Sequence, residues 1–271
     1  MSPTCSCAGP SSPTPCSPPS GEMNTPRAEA ELVTSDGLRL SARRWSSDET
    51  RASVVVVHGF GASSRDPAVV AACERLAASG LDVLAYDSRG HGASGGEATL
   101  GDQERHDVAA AVERAQANAP RVVLVGASMG AIGVLRYAST ADDLDGIVVV
   151  SCPARWTLPR NVRGLMSALC TQTSLGRAFA RRRMGVRIAT HIDRPAPPIE
   201  LIERVQAPIA ILHGALDPFI PWQDAHALHA RAPEPRRLEI VPGMRHAFDL
   251  ALPDPLVRAV DWTLSASRSE R

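Results

Sequence analysis

The 271-residue chain contains no lysine; all 29 of its basic residues are arginine. A Schiff-base or pyridoxal-phosphate enzyme needs a lysine amine, and a P-loop NTPase needs one on its phosphates, so both classes are excluded. Excess charge is also absent. Twenty-nine acidic residues balance the arginines, and a net charge of zero leaves no electrostatic footprint for nucleic acid or an anionic membrane. Cys5, Cys7, Cys16, Cys73, Cys152 and Cys170 form no C-x-x-C pair and no zinc-ligand spacing, which fits a reduced compartment. No apolar run is long enough to span a bilayer, and the first 22 residues lack the apolar centre of a signal peptide. The expectation is a cytoplasmic protein with no membrane span and no nucleic-acid partner.

What is present begins with a tail. Residues 1–26 are rich in Pro and Ser and hold too little apolar surface to order themselves, so a disordered tail is expected there, with Met23 as an alternative start of translation. One domain is expected over 27–271, a length that buries a single core. From Glu31, ELVTSDGLRLSARRW alternates in the manner of two strands joined at Asp36-Gly37, the strongest short hairpin signal. Continuous apolar runs follow at 53–59, 82–87, 121–126, 146–151, 208–214 and 236–243, the pattern of strands buried on both faces of a parallel sheet.

Helical patterns fill the intervals. In PAVVAACERLAASG, Val69, Cys73, Leu76 and Ala77 share one face between Pro67 and Gly80; in DQERHDVAAAVERAQAN, Val108, Ala111, Val112 and Ala115 do the same. A last helix lies near DPLVRAVDWTL. Strand and helix alternating in this way predict an α/β fold with a mostly parallel eight-stranded sheet and helices on both faces. Residues 153–204 break the rhythm, with a helical stretch and a Pro-rich return but no strand. Such an excursion reads as a small helical lid over a site, or as decoration that never meets a substrate.

The chemistry centres on VVLVGASMGAIGVL, which sets G-x-S-x-G at the end of a buried strand and the start of a helix. The pentapeptide alone arises by chance in about one chain in ten of this size, so the context carries the argument. Glycine at each flank permits a strained strand-to-helix turn that lifts the Ser128 hydroxyl above the sheet. That hydroxyl needs a base. His246 alone among the eight histidines lies in a loop just after the final strand, at the sheet edge where Ser128 sits. Six of the others read as structural or surface residues: His58 and His213 at strand ends, His106, His226 and His229 on helices, His191 in the lid. Asp217, in HGALDPFIP, occupies a loop on the same edge and is the expected partner of the imidazole. An alternative position for this acid, after the strand at 146–151, offers only Ser151 and Cys152, while Asp224 and Asp249 read as caps or surface groups. Two backbone N–H groups must face the developing oxyanion: Met129 follows the nucleophile, and Phe60 in HGFGASS is the expected second donor.

With HGFG, DSRGHGASGG at 87–96, GASMG, HGALDPFIP and GMRHAF in this order from Val54 to Phe248, the chain resembles the α/β-hydrolase superfamily. It is most similar to the monoacylglycerol-lipase and serine-aminopeptidase branch, whose members usually carry a compact helical cap. The resemblance implies hydrolysis of a small-molecule acyl substrate, an ester, thioester or amide, with no metal and no organic cofactor. Ala127 departs from that branch, which usually has His before the serine. Ser128 argues against dehalogenases and epoxide hydrolases, which use aspartate there.

Three readings remain for the function: an esterase working through an acyl-serine, a thioesterase or acyltransferase of a biosynthetic pathway, and a catalytically silent binding member of the fold. In the lid, Leu165, Met166, Leu169 and Phe179 either form an apolar acyl pocket or seat the lid. Arg182, within a cluster from Arg177 to Arg187, either clamps an anionic group or faces water at a helix end.

Overall fold

A computed structural model describes residues 28–47, 50–156, 169, 171–193 and 196–269. The tail expected at 1–26 and the lid residues 157–168, Leu165 and Met166 among them, lie outside the described residues.

Eight strands form one sheet: β1 (Ala28–Val33), β2 (Arg39–Trp45), β3 (Ser53–Val57), β4 (Asp82–Tyr86), β5 (Val122–Ala127), β6 (Gly146–Val150), β7 (Ile209–Gly214) and β8 (Arg236–Val241), in the order β1-β2-β4-β3-β5-β6-β7-β8. The hairpin forms as the alternating pattern predicts. β1 and β2 pair antiparallel with Val33 opposite Arg39, and Gly37 takes a φ of 82° in the turn. β2 runs antiparallel to β4, and every later pairing is parallel. The sheet is therefore mostly parallel, as expected.

The apolar runs sort by parity. Val55, Val57, Leu124, Ile147, Val149, Ile209 and Ile211 pack into one layer, while Val54, Val56, Val123, Val125, Val148 and Val150 pack into the other. Successive side chains of a strand point to opposite faces, so a run with no polar residue needs cover on both sides. On the second face lie α1 (Pro67–Ala77), with Val69, Cys73, Leu76 and Ala77 buried, and α7 (Pro253–Ser269). On the first lie α2 (Glu104–Gln116) and α3 (Met129–Ala138). The short α5 (Pro198–Leu201) and α6 (Trp222–Arg231) cover the same face. β8, at the sheet's edge, is only half buried.

From β3 the chain crosses to β4 on one side, then returns past β3 to β5 on the other. Such a reversal opens a crevice beyond the carboxyl ends of the two central strands, here β3 and β5. The loop after β3 carries Phe60, and the turn after β5 carries Ser128.

The excursion after β6 is pinned at its base. Ile199 donates its N–H to the Ala154 carbonyl at 3.0 Å, and Ala154 donates its own to Asp224 Oδ2 at 3.0 Å. Ile199, Leu201 and Ile202, from the end of the 153–204 span, pack in the sheet core. Between the pins lies α4 (Ser174–Met184), capped by Thr173, whose hydroxyl accepts the Gly176 N–H, and ended by Gly185 at φ 68°. After α4 the chain makes a single parallel bridge, Ile188 to Ala98, and Arg187 donates to the Gly96 and Ser94 carbonyls. Among the described residues no helix is long and apolar enough to cross a membrane.

Candidate active site

Ser128 sits between β5 and α3 with φ 52° and ψ −115°, a left-handed geometry that a non-glycine residue adopts only when its surroundings enforce it. They do so on both sides. Its N–H is held by the Val150 carbonyl at 2.9 Å, and its carbonyl accepts the first turn of α3 from Ala131. The flanking glycines are required by close approach: a Cβ on Gly126 would lie 2.7 Å from the Gly130 carbonyl, and one on Gly130 would overlap the Val57 and His58 carbonyls. Ala127 is fully buried beneath the turn in the second layer.

The structure brings Ser128, His246 and Asp217 together across 118 and 29 residues of chain. His246 Nε2 lies 3.0 Å from Ser128 Oγ, and His246 Nδ1 lies 2.7 Å from Asp217 Oδ2. Asp217 fixes the tautomer, because an ionised carboxylate can only accept, so Nδ1 must carry the hydrogen and Nε2 is left to accept from the serine. The other Asp217 oxygen takes the N–H groups of Phe219 at 2.8 Å and Ile220 at 3.0 Å. Burial alone would raise this carboxyl. The His246 hydrogen bond and charge, with the two N–H groups, outweigh it and hold the pKa below the usual carboxylate range. The Phe219 ring, 4.9 Å from the imidazole between centroids, covers one side of His246.

Met129 is the first residue of α3, so its N–H belongs to the four that a helix leaves without an internal partner, at the positive end of the helix dipole. The loop after β3 passes just beside the nucleophile, with an added Cβ on Gly59 reaching within 3.3 Å of Ser128 Cβ. Phe60 follows Gly59 in that loop. Its ring meets buried His91 edge-on at 5.7 Å, and Met184 from the end of α4 packs against Gly61. A cavity of about 110 Å³ opens beside Ser128 and His246, lined also by Phe60, Ala68, Val69 and Phe248.

The described residues of the expected lid are not part of that lining. α4 turns Ala180 inward and leaves Leu175, Phe179 and Arg182 outside, and Leu169 is exposed as well. Leu169, Phe179 and Arg182 are not among the described residues that line the cavity. The reason is rotational: with 3.6 residues per turn, burying Ala180 sends positions 175 and 182 to the far side and 179 to the flank. Leu165 and Met166 belong to the undescribed part. Among the described residues no group of three or more His, Cys, Asp or Glu side chains could cage a metal ion.

Two other histidines serve the scaffold. His58 Nδ1 donates to its neighbouring Gly59 carbonyl and Nε2 accepts the Ser88 N–H, tying the loop after β3 to the loop after β4. His213 donates Nε2–H to the Ile220 carbonyl at 3.0 Å, closing the turn that presents Asp217. One residue near the site was missed. Ser151, set aside as an acid by its chemistry, is fully buried at the end of β6 and accepts the Ala247 N–H, one residue beyond His246, at 3.1 Å. A lone serine after a strand carries no signal that distinguishes this contact from surface filler.

Residues 48–196 match the family described as Serine aminopeptidase, S33, and the chain belongs to it, a hydrolase family of the α/β-hydrolase superfamily. Uncharacterized protein YfhR of Escherichia coli strain K12 is 25% identical over 227 residues, covering 80% of this chain and 72% of that protein. An esterase from Pyrococcus furiosus shares the fold with a TM-score of 0.70 at 22% identity, over 88% of this chain and 90% of its own. A bromoperoxidase from Bacillus anthracis does so with a TM-score of 0.66 at 18% identity, over 88% and 100%. At these identities the solved structures speak for the fold.

Proposed function

We propose that the protein is a serine esterase that cleaves short-chain carboxylic esters through an acyl-Ser128 intermediate. One observation carries this reading: an unbroken hydrogen-bonded path from Asp217 through His246 to a hydroxyl held in a strained turn at a helix N-terminus. His246 Nε2 takes the proton as Ser128 Oγ bonds to the acyl carbon, and the carbonyl oxygen gains the negative charge. The Met129 and Phe60 N–H groups are the proposed donors to that charge. Collapse breaks the bond to the leaving alkoxide, which takes the proton from His246; water then repeats the cycle and releases the acid.

The cavity supports a short acyl chain. About 110 Å³ is less than the 150 Å³ of an engineered cavity that binds benzene, and its walls beside the nucleophile are apolar apart from Asp66. Hydrolysis of p-nitrophenyl acetate, butyrate and octanoate, alongside butyryl thioester, tests the reading. The expected result is turnover of acetate and butyrate well above octanoate, lost in Ser128→Ala. Faster turnover of the thioester would move the assignment to a thioesterase, and no turnover of any ester by folded protein would remove it.

A further inference from the structure

Four non-glycine residues among those described have a left-handed φ: Leu100, Ser128 (52°), Ser151 (47°) and Ala247 (56°). Three of the four surround the proton path. An L-residue in this region crowds its Cβ against its own backbone, so it persists only where neighbouring contacts hold it. Ser128 has the helix and the Val150 carbonyl. Ala247 has a different restraint: its N–H donates to Ser151 Oγ, and that peptide nitrogen is bonded to the carbonyl carbon of His246.

Ser151 is well placed to be rigid. It is fully buried, and its own N–H is held by the Leu212 carbonyl at 2.9 Å, which anchors it to β7 as well as to β6. Release of Ala247 would let the peptide after His246 rotate toward the commoner right-handed region. The imidazole hangs from the residue just before that peptide, and a 3.0 Å contact to Ser128 Oγ tolerates little rotation. Asp217 fixes the ring's far nitrogen but not the backbone from which the ring projects.

We propose that Ser151 is a positioning residue for His246, its hydroxyl holding Ala247 left-handed and so aiming Nε2 at Ser128. This rests on the acyl-serine reading of the site for its effect on rate, though not for its effect on the imidazole. A role in packing alone would be served equally by any side chain of similar size. The positioning role requires the hydroxyl as an acceptor, and it predicts that glycine at 247, which adopts positive φ without cost, makes that acceptor unnecessary.

The test uses four variants of the full chain: Ser151→Ala, Ser151→Cys, Ala247→Gly, and Ser151→Ala combined with Ala247→Gly. Cysteine keeps the volume with a weak acceptor, so it stands in should the alanine variant fail to fold. Two readouts are taken, kcat and KM on p-nitrophenyl butyrate, and the proton NMR resonance of the His246 Nδ1–H bonded to Asp217. Ser151→Ala and Ser151→Cys are expected to lower kcat about tenfold with little change in KM, and to shift or broaden the Nδ1 proton. The double variant is expected to recover most of both losses. Unchanged kcat and resonance in the single variants, or a double variant as impaired as Ser151→Ala, would overturn the proposal. Should the wild type turn over no ester, the esterase reading falls, and the resonance alone still decides the role of Ser151.

Discussion

Asp217 grips His246 through a 2.7 Å bond from Nδ1 while its second oxygen is occupied by two backbone N–H groups of its own turn. The carboxylate is therefore fixed before it fixes the imidazole. Asp217→Asn retains the shape but offers an N–H donor that favours the wrong tautomer. The expected outcome is a fall in kcat of about a thousandfold to ten-thousandfold with KM little altered, measured on p-nitrophenyl butyrate. A fall below tenfold would mean that the carboxylate does not set the tautomer.

Gly126 is where β5 and α3 touch, with the Gly130 carbonyl 2.7 Å and Ala131 Cα 2.8 Å from any added Cβ. Both neighbours are backbone, so neither can swing away. Gly126→Ala is expected to cost about 1–3 kcal/mol, read as a lower midpoint in urea or heat, with activity reduced as the elbow shifts. An unchanged midpoint would show that the turn has slack.

Buried neutral histidines give the fold an acid limit. Burial pushes His58, His91 and His213 below the ordinary histidine value, His91 to about 4 with the charge of His58 adding to the effect. The hydrogen bonds agree: His91 Nδ1 donates to the Arg89 carbonyl, and its Nε2 has no partner among the described residues. A second proton would bury an unpaired charge. Folded imidazoles with lowered pKa bind fewer protons than unfolded ones, so their contribution is full above pH 6.5 and is lost as pH falls toward the folded value. For His91 the loss between pH 6.5 and 5 is about 2 kcal/mol. Unfolding midpoints at pH 7.5 and pH 5 should differ strongly in the wild type and less in His91→Asn. Equal pH dependence in both would contradict the assignment.

Phe248, two residues after His246, lines the same cavity as Ser128. Phe248→Ala should enlarge that space and raise the ratio of kcat/KM for octanoate over butyrate by about tenfold. A ratio that stays constant would place the acyl chain elsewhere.

Much of this architecture was legible because its signals are periodic or punctuated. Runs such as SVVVV declare a strand covered on both faces, and Asp36-Gly37 declares the hairpin. The elbow, the acid turn and the histidine loop each follow a strand, so the topology alone carries them to one rim. What escaped were contacts set by tertiary context. Glu104 and Asp107 on α2 are both buried: Glu104 binds the Thr99 hydroxyl and the Thr99 and Gly101 N–H groups, and Asp107 binds the Arg89 guanidinium and N–H. The bridge from Ile188 to Ala98 joins segments with no strand pattern at all. The excursion at 153–204 was visible as a break in rhythm, but which face of α4 turns inward depends on what lies beneath it.

The most direct measurement is covalent labelling. Purified protein treated with a fluorophosphonate probe, digested and sequenced by mass spectrometry should carry one adduct, on Ser128, formed slowly in His246→Ala and absent in Ser128→Ala. An adduct on another residue, or none on protein shown by circular dichroism to be folded, would contradict the assignment of Ser128 as an activated nucleophile.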